Sequence, residues 1–149
     1  MVDKIYRTFV DATQNVFNLM LNISDISDHP AENFNCDSEI DIAIGVIGDL
    51  QGEVVYRFPA STSINMVKLM SGMQFDEVDA FVTSAISEIA NIISGNVLTA
   101  LSGSDLTCDI LPPVQTKIDE QKEYDIKTSC CISTTIGAIC LEIRLNKAA

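Results

Sequence analysis

The sequence predicts an α+β (mixed α/β) fold, a single domain in which a β-sheet has helices packed on one face. Three observations carry this reading. Apolar residues recur at helical spacing in Asp3–Leu21 and again in Asp79–Ser102. Apolar and polar residues alternate in Ile40–Ile47 and return in Glu53–Phe58, on either side of a glycine-rich turn. The end of the chain is strand-like in Asp105–Leu111, Tyr124–Ser133 and Ala138–Leu145. The order helix, strands, two helices, strands suits one sheet with its helices on a shared face. At 149 residues the chain is long enough to bury a sizeable core, and residues 1–149 read as one domain.

In Asp3–Leu21, Ile5, Phe9, Ala12, Val16 and Met20 mark one helical face, widened by Tyr6, Val10, Phe17 and Leu21. The polar, acidic stretch Asn22–Ser38 follows, with a short strand at Ile23–Ile26 and the rest as loop. In the first strand Ile40, Ile42, Ile44 and Val46 alternate with Asp41, Ala43 and Gly45. Gly48-Asp49-Leu50-Gln51-Gly52 supplies turn residues, and Val54, Tyr56 and Phe58 share one face of the returning strand, so the pair reads as a β-hairpin. Pro59 stops the sheet. Ser61, Thr62 or Ser63 can cap a second helix to about Met70, with Gly72 beyond it. Met66, Met70 and Met73 read as core fillers. Gly137 marks the last turn, and the charged Thr116–Glu123 reads as an exposed connection.

The long helix Asp79–Ser102 carries the chemistry. Asp76, Glu77 and Asp79 precede or open it, where negative charge suits the positive end of the helix dipole, and Gly103 follows it. Val82, Ala85, Ile89, Ile93, Asn96, Val97 and Ala100 form the stripe expected to be buried. Ser84, Glu88, Asn91 and Gly95 fall within a narrow arc on the opposite face, flanked by the small Ser87 and Ser94. A solvated helix face is the plain alternative, but such a face would carry lysines or arginines, and this helix has none. A carboxylate and a carboxamide one turn apart, ringed by small side chains, can enter a cleft on another molecule.

Ser84-x-x-x-Glu88-x-x-Asn91 resembles the signature of the CheC/CheX/FliY family of chemotaxis phosphatases, with Pro112 or Pro113 in the place of the signature's downstream proline. The context GDLQGEVVYRFP, a following helix, the long helix and a β-rich end agree with it, over roughly Met1–Leu145. One such helix is present, as in the CheX-like branch. The resemblance implies a phosphatase that stimulates hydrolysis of the aspartyl phosphate on a CheY-type response regulator. Asn91 would hold the attacking water, and Glu88 would pair with the regulator's active-site lysine. Ser84, Ser87 and Gly95 would let the helix approach closely. Magnesium would sit in the regulator, with no cofactor in this chain. A homodimer through the sheets is implied as well. The alternative is a non-catalytic interaction module of the same fold in a chemotaxis or flagellar-switch assembly.

Composition narrows the remainder. A formal net charge of −12 argues against nucleic acid and against anionic membrane surfaces. MVDKIYRTFVDA lacks an apolar signal region, and no unbroken apolar run approaches the roughly 18 residues of a membrane span, so a cytoplasmic location is expected. Cys36, Cys108, Cys130, Cys131 and Cys140 are odd in number and lack C-x-x-C spacing; they read as apolar fillers, with Cys130 and Cys131 on opposite faces of a strand. His29 reads as a solvated loop residue. Asp37, Glu39 and Asp41 alternate, but the glycine and distal glutamate of an EF-hand loop are missing.

Overall fold

The structure, a computed structural model, describes residues 2–30, 39–115 and 123–148. Helix α1 spans Val2–Leu21, α2 spans Ala60–Ser71 and α3 spans Ala80–Ser102. The strands are β1 (Ser27–Pro30), β2 (Glu39–Gly48), β3 (Leu50–Pro59), β4 (Cys108–Ile110), β5 (Val114–Gln115), β6 (Ile126–Thr134) and β7 (Gly137–Lys147). They form one sheet in the order β1-β6-β7-β3-β2-β4, with β5 also paired to β2. Every pairing is antiparallel.

The predicted hairpin is β2–β3, in a register that sets Ile42 opposite Tyr56 and Ile44 opposite Val54. Gly52 has a φ of +151°, and a Cβ there would run into the carbonyl oxygen of Arg144 on β7. Only glycine lets the strands approach this closely. On the helix side, Ile42, Ile44, Val54, Tyr56 and Phe58 meet Leu141 and Ile143 in one core with α1, α2 and α3. The other face carries Arg57 between Asp41 at 3.6 Å and Glu142 at 4.0 Å. There too the buried Arg144 pairs with Glu53 at 3.3 Å and lies over the Tyr124 ring, 4.9 Å from its centroid.

Several expectations are corrected. The strand near the start is Ser27–Pro30, not Ile23–Ile26, and His29 lies in it and not in a loop. None of Ser61, Thr62 and Ser63 caps α2: Pro59 holds the cap position without a side-chain bond. The Thr62 hydroxyl instead donates to the Ala138 carbonyl and that of Ser63 to Pro59, each at 3.0 Å. Of the three methionines only Met66 is buried; Met70 and Met73 are exposed. Gly103 is right-handed with φ −65°, and the left-handed residue past α3 is Asp105. By length and hydropathy α3 would suffice to cross a membrane, contrary to the reading above, although its apolar face lies on the sheet. Cys36, Asp37 and most of Thr116–Glu123 lie outside the described residues.

The described cysteines are free thiols, with Cys130 in the core and Cys131 directly opposite Cys140 across β6–β7. Burial pushes the Cys130 thiol from 9.0 up to about 12, helped by the Asp28 charge, and burial also raises Tyr56 and Cys140. Such groups ionise first in the unfolded chain, so their contribution is complete below about pH 9 and is lost as pH climbs toward 12. The urea midpoint should therefore hold from neutral pH to about 9 and fall steadily above it. A midpoint unchanged to about pH 11 would show that these groups are not buried as described.

Candidate functional site

Helix α3 starts where the sequence says it should. Asp79 occupies the cap position in extended conformation, and its carboxylate accepts a 2.9 Å bond from the Val82 amide. Val82, Ile86, Ile89, Ala90, Ile93, Val97 and Leu101 then form the buried face. Their spacing is that of the helix, so burying them on the sheet turns the opposite arc outward.

Ser84 and Glu88 are exposed on that arc, and Asn91 and Gly95 are half-buried beside them. The neighbouring polar side chains are tied to the helix backbone. Ser87 donates to the Thr83 carbonyl at 2.8 Å, Asn96 to Ile92 at 2.9 Å and Thr99 to Gly95 at 3.2 Å. Among the described residues, nothing bonds to the side chains of Glu88 and Asn91, so both are free to meet another molecule. Gly95 is open above its Cα: a Cβ placed there would meet nothing within 4 Å. Among the described residues, no three His, Cys, Asp or Glu side chains converge as metal ligands. Asp41, of the alternating acidic set, is engaged with Arg57.

Three residues differ from expectation. Ser94 is not a surface residue flanking the ridge. It is 3% exposed, and its hydroxyl lies 2.8 Å from that of Tyr56, which is fully buried on β3. Each hydroxyl satisfies the other inside the core, where an unpaired one would be costly. Asn96 and Ala100, placed in the buried stripe, instead line an open groove of about 360 Å³ against Thr8, Asp11, Ala12 and Asn15 of α1. Pro112 is exposed and Pro113 half-buried.

Sequence comparison then bears on what the ridge is. The family described as "Chemotaxis phosphatase CheX" matches residues 40–136, which takes in β2, β3, α2 and all of α3. The chain belongs to the CheX family. A relative named "CheY-P phosphatase CheX", from Thermotoga maritima, is 32% identical over 71 residues, or 47% of this chain and 46% of the relative. The matched stretch thus spans about half of that relative's length. Among solved structures, chemotaxis protein CheX from Vibrio vulnificus has a TM-score of 0.82 at 18% identity, covering 96% of this chain and 99% of the other. The CheX-CheY-BeF3-Mg2+ complex from Borrelia burgdorferi has a TM-score of 0.77 at 20% identity, covering 95% of this chain and 97% of that one. At such identities the structures establish a shared fold across nearly the whole chain.

Sequence reasoning missed the Tyr56–Ser94 pair. The signal was present: Tyr56 alternates inward with Val54 and Phe58, so its hydroxyl needed a partner in the core. Replacing Tyr56 by Phe should cost about 1 kcal/mol of stability, with Ser94→Ala similar and the double mutant well short of twice that. Urea unfolding measures all three. Strict additivity would mean that the hydroxyls do not support each other.

Proposed function

We propose that this chain is a phosphatase that stimulates hydrolysis of the aspartyl phosphate on a CheY-type response regulator, and that the α3 ridge is its active surface. The observation that carries the reading is the unengaged pair Glu88 and Asn91, one turn apart on a helix otherwise fixed to the sheet. Its family and a relative named a CheY-P phosphatase support it.

The chemistry asks little covalent work of this chain. Water attacks phosphorus in line, the bond between phosphorus and the aspartyl oxygen breaks, and the carboxylate leaves. What the phosphatase can add is position. The Asn91 carboxamide has both a donor and an acceptor, so it can hold a water against the phosphoryl group. Glu88, an anion, would be repelled by that group; it instead meets the regulator's lysine and anchors the helix. A regulator-held Mg2+ neutralises phosphoryl charge, in keeping with the composition of the related CheX-CheY-BeF3-Mg2+ complex.

Ser84, Ser87 and Gly95 line the approach. Glycine inside a helix costs roughly 1 kcal/mol relative to alanine, and none of the described residues occupies the space above Gly95. Close approach by a partner gives that glycine a purpose. We place the activity in the cytoplasm, a reducing compartment that suits the four free cysteines described. We also read residues 1–149 as one domain that forms a homodimer through sheet surfaces away from the helices, with both α3 ridges outward. Among the described residues, β1 covers the outer edge of β6 only from Cys130 to Ser133, which leaves strand edge for such pairing.

Single-turnover decay of the phosphorylated regulator tests the roles. Asn91→Ala should bring the decay close to the regulator's own rate while binding of its beryllofluoride form is retained. Glu88→Ala should weaken binding as well as turnover, and Glu88→Lys more so. Gly95→Ala should raise stability by about 0.5–1 kcal/mol yet weaken binding. Full activity in Asn91→Ala would remove the catalytic assignment and leave the interaction module. For the dimer, sedimentation at micromolar concentration should find a species twice the 16.2 kDa chain mass; the single-chain mass alone would contradict it.

A further inference from the structure

One exposed aromatic lies on the ridge and has no role so far. Phe81, in the first turn of α3, is 53% exposed. It precedes Glu88 by seven residues, so it lies within about 20° of Glu88 around the axis and about 10 Å away along it. Its ring stacks on Phe75, with centroids 5.5 Å apart and planes 11° from parallel, and Phe75 packs against the core. The nearby chain adds exposed Met73, and Leu69 and Met70 at the end of α2 are exposed as well. The opposite end of the ridge carries the small or polar Gly95, Thr99 and Ser102. The apolar character is therefore confined to one end.

We propose that Phe81, held on Phe75, is the apolar anchor that seats the response regulator on the α3 ridge. The inference rests on the phosphatase reading above and adds the direction in which the partner lies. An ordinary interface buries about 800 Å² on each side, a disc of roughly 15 Å radius. A partner centred on Glu88 and Asn91 therefore covers a side chain about 10 Å from Glu88. Once covered, an aromatic ring already immobilised by stacking loses little freedom and contributes the area it still exposes, which is how binding hot spots behave. The acidic Asp76, Glu77 and Asp79 stand beside it in sequence, at the rim. The matching regulator surface is an apolar contact about 15 Å from the phosphoryl group, bordered by basic residues.

The test is steady-state dephosphorylation by Phe81→Ala, Phe81→Glu and Asn91→Ala, with sedimentation of each. Phe81→Ala should raise KM roughly tenfold while kcat stays within about twofold, and Phe81→Glu should raise KM further. Asn91→Ala should lower kcat. If Asn91→Ala loses turnover while both Phe81 variants keep the parent KM, the anchor is wrong and the ridge stands. If Asn91→Ala keeps full turnover, the ridge reading fails and the anchor fails with it. If the Phe81 variants dissociate a dimer without changing KM, the aromatic patch belongs to a second copy of this chain, which also overturns the anchor.

Discussion

Everything at the candidate site depends on how α3 is seated. Seven apolar side chains from Val82 to Leu101 are buried in the core between the sheet and the neighbouring helices, and the hydroxyls of Ser94 and Tyr56 meet there at 2.8 Å. Apolar burial is strong but non-directional, so it would tolerate some rolling of the helix. A buried hydrogen bond does not, because breaking it leaves two polar groups in the core. With the roll fixed, Ser84, Glu88, Asn91 and Gly95 have only one way to face, which is outward.

Division of labour follows from that seating. The sheet and the buried stripe provide rigidity, and in the function proposed above the ridge would provide chemistry that needs no reactive group of its own. In that proposal a carboxamide positioning water and a carboxylate pairing with a lysine would both act by geometry, so small errors in helix placement would be costly. Burial holds the Cys130 and Cys140 thiols protonated, and both fill space within the sheet.

The fold was legible where side chains declare a side. Isoleucines alternating in β2 and a 3.6-residue stripe in α3 each allow one arrangement, and both elements match expectation to within a residue or two. Legibility failed for small and polar residues at the margins. Ser94 and Asn96 stand about 80° to either side of the centre of the apolar stripe, so periodicity treats them alike. The structure closes over Ser94 because Tyr56 reaches it and leaves Asn96 open along α1. The methionines failed for a related reason: a flexible apolar side chain suits both a core and a surface, and Met70 and Met73 sit on the surface. Phe81 went unread because an aromatic in a first turn is normally taken as core.

On the function proposed above, a phosphorylated regulator docks on the outward arc of α3. Amide chemical-shift mapping tests this directly, with the labelled chain titrated by a beryllofluoride-loaded regulator. The largest changes should fall at Phe81, Ser84, Glu88, Asn91 and Gly95, including the side-chain amide of Asn91. Changes concentrated on the far face of the sheet, around Asp41, Arg57 and Glu142, with α3 silent, would contradict it.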